Sequence, residues 1–212
     1  MEFDKDLTAR QEARELARRA ETAQRKLAEL SQSQLDAIVE AVAKAFAAQA
    51  SALAEMAVQE TGFGNAEDKR AKNLFASQRV AEAVRGMKTV GILREVPEKK
   101  LWEIGVPVGV IAAIIPSTNP TSTVCYKAMI ALKSGNAIVF SPHPKAIACT
   151  RKAAQIVSEA AQAAGAPADA VACLSIPSLD GCQELMKAEP VRLILATGGP
   201  GMVKAAYSSG KP

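Results

Sequence analysis

The chain contains few of the residues that usually mark a metal site, a membrane segment or a nucleic-acid surface. Its 212 residues include one histidine, four cysteines and only 4% aromatic residues. No apolar run reaches the roughly 20 residues of a membrane span, and residues 1–6 lack the pattern of a secretory signal. The formal charge of +4, with basic residues dispersed among acidic ones, favours a small anion such as a nucleotide over nucleic acid. We therefore expect a cytoplasmic globular protein with neither a membrane nor a nucleic-acid partner.

The four cysteines form no recognisable metal or disulfide motif. They contain no Cys-x-x-Cys pair, and the single histidine, His143, cannot complete a zinc cluster at useful spacing. Cys125 and Cys149 lie in predicted helices and Cys173 in a predicted strand, where cysteine usually serves as a small core residue. A nucleophilic thiolate would also need an accessible, electropositive surrounding. We expect no metal, and none of Cys125, Cys149, Cys173 or Cys182 is expected to be catalytic.

Residues 1–88 are predicted to be a helical segment that packs on the rest of the chain. Apolar residues spaced three or four apart draw one stripe along the first helix: Ala13, Leu16, Ala20, Ala23, Leu27 and Leu30. Ser31 and Gln34 resemble a capping box, which predicts a second helix extending to about residue 60. A third helix is expected over 67–84. Its apolar side would carry Ala71, Leu74, Phe75, Ala81 and Val84, and Lys69, Arg70 and Lys72 would form a solvated face.

The pattern changes in the second half of the chain. Residues 89–107 predict two short strands that form a connector or an oligomerisation hairpin. Residues 108–212 then alternate between strands (108–115, 137–140, 171–175 and 192–196) and helices (121–133, 145–164, 179–187 and 200–207). Such alternation is typical of βαβ units with a parallel sheet and right-handed crossovers. The predicted fold class is α/β, in which N-terminal helices precede a Rossmann-like parallel sheet.

Three unusual turns follow the first, second and fourth of these strands. The first is Pro-Ser-Thr-Asn-Pro at 116–120, the second is Ser-Pro-His-Pro at 141–144, and the third is Thr-Gly-Gly-Pro-Gly at 197–201. Because ligands of such sheets bind outside the carboxyl ends of the strands, all three turns should line one crevice. The candidate binding residues are Ile115, Pro116, Ser117, Thr118, Asn119, Ser141, His143, Pro144, Lys145, Thr197, Gly198, Gly199, Gly201 and Met202.

Each turn also has an ordinary structural interpretation. Thr118 or Asn119 could simply cap the next helix. His143 could be a surface histidine in a rigid turn, or a ring that contacts an adenosine ribose or phosphate. The glycines could form a tight turn, or let a phosphate approach a helix N-terminus, but they match neither Gly-x-Gly-x-x-Gly nor Walker A.

Together, the segments at 116–123, 140–145 and 195–212 resemble the CoA-acylating aldehyde dehydrogenases. That group includes the aldehyde dehydrogenase half of the bifunctional alcohol/acetaldehyde dehydrogenase and microcompartment enzymes for short aldehydes. Segments 60–69 and 73–77 fit as well. The resemblance implies a Rossmann-like domain of the aldehyde dehydrogenase type, in which the three turns surround NAD and coenzyme A uses an overlapping space.

The resemblance also implies a reaction. In the family, a cysteine thiolate attacks the aldehyde, hydride passes to NAD, and CoA takes the acyl group. An amide stabilises the oxyanion, and Asn119 is the candidate here. Hydrolytic members carry their asparagine where this chain has Thr118, so the segment could instead act through its backbone alone.

The family's catalytic cysteine lies downstream of the segment that matches 208–212, and none of the four cysteines aligns with it. We therefore expect an incomplete, inactive NAD-binding portion (108–212) of an enzyme for a short-chain aldehyde, a homo-oligomer at full length, in the cytoplasm or a bacterial microcompartment. The aldehyde and the choice between NAD and NADP stay open. The alternatives are a non-catalytic nucleotide-binding or assembly module, and a relative of the hydrolytic aldehyde dehydrogenases or of acyl-phosphate reductases.

Overall fold

A computed structural model describes residues 4–212, and its first part is helical. The helices are α1 (Lys5–Leu27), α2 (Gln32–Ala48), α3 (Ala50–Thr61), α4 (Ala66–Leu74) and α5 (Val80–Val84), with a π-helical segment (Phe75–Arg79) between the last two. The predicted stripe on α1 is largely confirmed. Its buried residues are Ala9, Ala13, Ala17, Ala20, Ala23 and Leu27. Small side chains along this face let α1 lie close to the elements beneath it.

The start of α2 was predicted correctly, but its end was not. Ser31 and Gln34 form the capping box, in which Gln34 Oε1 accepts the Ser31 N–H at 2.9 Å. A single helix to residue 60 is wrong, because the chain breaks at Gln49 and bends by 64° between α2 and α3. The two helices pack against different partners, α2 on later helices and α3 on α4, and no glycine or proline marks the break. Among the described residues no single helix could span a membrane, although this bent pair qualifies by length and composition alone.

The inward face of the third helical region was predicted only in part: Ala81 is buried and Arg70 and Lys72 are exposed as expected, but three positions are reversed. Lys69, expected in solvent, is 5% exposed, whereas Phe75, expected to pack, is 64% exposed, and Ala71 is exposed too. The buried face is polar: Asn73 donates to Ala50 O at 3.0 Å and accepts from Thr121 Oγ1 at 2.8 Å. Hydrogen bonds, rather than apolar contacts, therefore decide which side of α4 faces inward.

A two-stranded antiparallel hairpin follows the helices. It consists of β1 (Gly91–Val96) and β2 (Leu101–Gly105), joined by a 3₁₀ turn (Pro97–Lys99). All but one of the side chains of β1 are exposed in this chain, and so are those of Leu101, Trp102 and Ile104 in β2.

The second half of the chain forms the predicted parallel sheet. Its strands are β3 (Val110–Ile114), β4 (Ala137–Ser141), β5 (Val171–Cys173) and β6 (Val191–Ala196), in the order β5-β4-β3-β6. The helices are α6 (Pro120–Lys133), α7 (Ile147–Ala163), α8 (Leu179–Lys187) and α9 (Pro200–Tyr207). Helices α1, α6, α7 and α8 all pack against the sheet. Because these helices cover it, every residue of β3 and β4 is buried. The α/β fold class with N-terminal helices is confirmed.

All four strands differ from their predicted limits by one or two residues, and for β5 and β6 the structure shows the reason. β5 ends at Cys173 rather than 175, because the N–H groups of Ser175 and Ile176 donate to the Glu12 carboxylate at 2.8 and 3.0 Å instead of to a strand. β6 begins one residue early, at Val191, which pairs with Val110.

Candidate functional site

The candidate site lies where the order of the strands reverses. The chain runs from β3 outward through β4 to β5, then returns so that β6 pairs with the other side of β3. Adjacent connections leave this point in opposite directions, which opens a crevice at the carboxyl ends of the strands. A cleft of about 230 Å³ occupies it. Its lining residues are Ile114, Ile115, Pro116, Ser141, Pro142, His143, Pro144, Ser178, Leu179, Cys182, Thr197, Gly198, Gly199 and Met202.

A second hollow of about 320 Å³ adjoins the first and shares several of its walls. It is lined by Pro116, Ser117, Thr118, His143, Thr197, Gly198 and Gly199. The predicted convergence of the three turns is thus what the structure shows, and the two hollows together form an elongated groove. We call this groove the switch-point cleft.

Three of the candidate residues line neither hollow. Lys145 is exposed ahead of α7, and Gly201 lies in the first turn of α9. Asn119 precedes α6 but its side chain makes no capping hydrogen bond; its Oδ1 accepts from Lys72 Nζ at 3.2 Å. Because a lysine can only donate, this contact leaves the Asn119 amide nitrogen as the group free to donate elsewhere.

His143 lies at the junction of the two hollows and is half-buried. Its Nδ1 accepts the backbone N–H of Lys145 at 3.0 Å. A neutral ring in this arrangement carries its proton on Nε2. The ring can therefore present a hydrogen-bond donor to a ligand.

The glycine turn provides backbone donors with open space in front of them. Gly199 is the N-cap of α9 with φ −68°, so its backbone conformation does not require glycine. A Cβ at Gly199 or Gly201 would meet nothing within 4 Å. Among residues 4–212, no acceptor pairs with the N–H groups of Gly198 and Gly199. Free N–H groups at a helix N-terminus suit a phosphate, and the helix dipole adds about 0.3–1 kcal/mol per charge.

Sequence reasoning missed the wall that α8 contributes. Ser178, Leu179 and Cys182 line the cleft, and Ser178 caps α8 by accepting the Gly181 N–H at 2.9 Å. This serine cap, directly after Pro177, was the available signal for the wall.

Helix α1 holds that wall in place. Arg10 pairs with Asp180, and Arg14 Nε lies 2.6 Å from Glu184 Oε1. A Cβ at Gly181 would lie 3.2 Å from Ala9 Cβ, so the two helices are in close contact. Partners this distant in sequence cannot be matched from the sequence alone.

The N-terminal helices also hold two of the three turns. Glu60 at the end of α3 accepts the N–H groups of Ala148 and Cys149 at 2.7 and 2.8 Å, at the start of α7. Burial opposes ionisation of Glu60, but these hydrogen bonds outweigh it and lower its pKa. Lys69 Nζ donates to Thr118 O at 2.6 Å, and burial, aided by repulsion from Lys72, lowers the pKa of Lys69.

The four cysteines are free thiols with little access to solvent. Burial raises the pKa of Cys149, which also lies beside Glu60, and of Cys173 to about 12. It also raises the pKa of Cys125 and of Cys182, the one cysteine in the cleft wall. At neutral pH all four are protonated, and Cys182 acts as part of an apolar wall.

Comparison with known proteins agrees with this architecture. The model of the aldehyde dehydrogenase family matches residues 5–211. The bifunctional aldehyde-alcohol dehydrogenase AdhE of Escherichia coli K12 is 50% identical over 93% of the chain. An acetylating aldehyde dehydrogenase from Geobacillus thermoglucosidasius superposes with a TM-score of 0.97 at 55% identity over 99% of the chain. A propionaldehyde dehydrogenase from Rhodopseudomonas palustris, solved with CoA and an acylated cysteine, gives 0.79 at 32% identity over 94%.

The chain spans only part of each relative: 22% of the E. coli protein, 46% of the Geobacillus chain and 45% of the Rhodopseudomonas chain. Within that part the match is nearly continuous. The resemblance to acylating enzymes is confirmed, and the chain belongs to the aldehyde dehydrogenase family.

Proposed function

We propose that the chain is the cofactor-binding part of an NAD- and CoA-dependent aldehyde dehydrogenase. The complete reaction converts a short aldehyde, CoA and NAD⁺ to acyl-CoA and NADH. One observation supports this most strongly: three turns that are distant in sequence converge on one cleft at the switch point of the sheet. The high identity to acylating relatives supports the proposed chemistry.

The lining of the switch-point cleft suits an adenine nucleotide. Leu179 from α8 and Met202 from α9 provide apolar walls for a flat heterocycle. The free N–H groups of Gly198 and Gly199 suit a phosphate, and His143 can donate from Nε2. NAD and CoA both contain adenosine and a diphosphate, so one cleft can serve both in turn.

In this proposal NAD⁺ would be the hydride acceptor, and the chain's own residues bind and orient it. Asn119 stays a prediction as the amide that stabilises the oxyanion; Lys72 holds its oxygen and leaves its nitrogen free. We expect none of the four thiols, of which three are buried and Cys173 is partly buried, to act as the nucleophile. We expect the purified chain to show no aldehyde turnover, and CoA-dependent formation of NADH by it would contradict this.

Calorimetric titration of the chain with NAD⁺ and with CoA tests the binding site. We expect saturable binding of each, weakened at least tenfold by Gly199→Val, because the new side chain would enter the open space beside the cleft. Gly86→Val is the matched control: Gly86 is exposed, also has open space in front of its Cβ, and lies outside the cleft. Equal affinities in both variants would remove the glycine turn from the site.

The hairpin supports a second role, in assembly. Trp102 and Ile104 are 64% and 57% exposed in this chain, and the neighbouring Val106 is 72% exposed. Such an apolar surface marks a protein–protein contact. We propose that it joins copies of the full-length protein in a homo-oligomer, and that the enzyme works in the cytoplasm or in a bacterial microcompartment.

A further inference from the structure

A buried lysine connects the two strands that flank the switch-point cleft. Lys127, on α6, is 2% exposed. Its Nζ donates to Ile114 O at 2.9 Å and to Leu195 O at 2.6 Å. Within residues 4–212 no carboxylate forms an ion pair with it, and its pKa falls to about 8 through burial alone.

The two carbonyls that accept from Lys127 lie at the carboxyl ends of neighbouring strands. Ile114 is the last residue of β3, and Leu195 is the last but one of β6. The strands pair up to Ile114 and Ala196, after which the chain enters the turns that line the cleft. Ile114 O also accepts the Thr197 N–H at 3.2 Å, the last bond between the two segments. The ammonium therefore binds two carbonyls at the point where the strands separate.

A second lysine on the same helix shows a different arrangement. Lys133 is equally buried, but its Nζ lies 2.6 Å from Asp36 Oδ1 and also donates to Arg85 O. It joins α6 to the N-terminal helices by an ion pair, away from the cleft. Among the described residues Lys127 has only carbonyl partners, and a buried cation without an anion is costly. An apolar side chain would fill the same position at lower cost, so packing does not explain a lysine there.

We propose that Lys127 is a positioning residue for the switch-point cleft: by holding the carbonyls of Ile114 and Leu195 together, it sets the two turns at the distance that the nucleotide needs. The ligand in this statement rests on the proposed function. The effect on the backbone does not, and it can be measured in the chain without ligand.

Amide hydrogen exchange of the unliganded chain tests the effect on the backbone. In Lys127→Met, which keeps the length and apolar stem, we expect exchange at the Thr197 and Ile115 amides to be at least tenfold faster than in wild type. These amides donate to Ile114 O, one of the two carbonyls that Lys127 binds, and to Ser141 O. Lys133→Met should leave them unchanged, and the Ile138 amide should be unaffected in both. Unchanged exchange at Thr197 and Ile115 in Lys127→Met would overturn the inference.

Titration with NAD⁺ then tests the consequence for binding. We expect Lys127→Met to bind at least tenfold more weakly and Lys133→Met to bind like wild type, with thermal unfolding confirming that both are folded. Lys127→Gln, which keeps one donor group, should fall between wild type and Lys127→Met in both measurements. Wild-type affinity in Lys127→Met, or equal losses in both methionine variants, would contradict a positioning role. If wild type itself binds no NAD⁺, the proposed function fails, while the exchange result still decides whether Lys127 holds the turns.

Discussion

The two sheets of this chain differ in what covers them. In the parallel sheet every residue of β3 and β4 is buried by helices of the same chain. In the hairpin, Val96 is the one buried residue of β1 and β2, although both strands are rich in apolar side chains. The two central strands of the parallel sheet are therefore fully covered within the chain, whereas β5 and β6 at its edges are partly buried. The hairpin has the composition of a core and the exposure of a surface, which is why we assign it to contact between copies.

The largest loss of stability should come from truncating a core side chain of the parallel sheet. Phe140 in β4 is fully buried and is among the largest core side chains. We expect Phe140→Ala to lower the free energy of unfolding by about 3–5 kcal/mol, because it leaves a cavity among well-packed neighbours. Chemical denaturation measures this. A loss below about 1 kcal/mol would mean that the sheet is not the core we describe.

A smaller effect should follow from loosening the contact between the N-terminal helices and the sheet domain. Glu60 accepts two N–H groups at the start of α7, and Glu60→Gln keeps only one acceptor oxygen, so we expect a loss of about 1 kcal/mol at pH 7. Because the folded-state pKa of Glu60 is lowered, its contribution is present above the unfolded-state pKa near 4.5 and is lost as the pH falls through the folded value. The difference between wild type and variant should therefore shrink below about pH 4.5. A difference that stays constant down to pH 3 would contradict the role of the carboxylate.

The smallest effect on stability should come from the hairpin. We expect Trp102→Ser to change the free energy of unfolding of the chain by no more than about 0.5 kcal/mol, because the side chain is already 64% exposed. In the full-length protein the same change should weaken self-association, measured by sedimentation, whereas the neighbouring Glu103→Ser should not. Self-association that is unaffected by Trp102→Ser would remove the hairpin from the interface.

The same contrast explains which features could be predicted from the sequence. Strands β3 and β4 follow from apolar runs, and the convergence of their turns follows from the general rule for parallel sheets. Helix α8 itself was predicted, but its place in the cleft wall was not, because that place depends on Arg10, Arg14 and the contact of Gly181 with Ala9, all distant in sequence.

The burial of two lysine side chains could not be predicted from the sequence either. Charge patterns cannot distinguish a solvated lysine from one that donates to a carbonyl 49 residues away, as Lys69 does to Thr118 O. The burial of Lys127 cannot be predicted for the same reason, since its acceptors lie 13 and 68 residues away. The apolar pattern gave the sheet, but the polar contacts that fix the site depend on the folded chain.

We propose above all that one switch-point cleft binds both NAD and CoA. Calorimetric titration of the chain with NAD⁺, repeated in the presence of saturating CoA, tests it most directly. We expect saturable NAD⁺ binding in the first titration and an apparent affinity that falls as CoA is raised, because the adenosine and diphosphate of the two compete for the same walls. No binding of NAD⁺, or an NAD⁺ affinity that CoA leaves unchanged, would contradict the account.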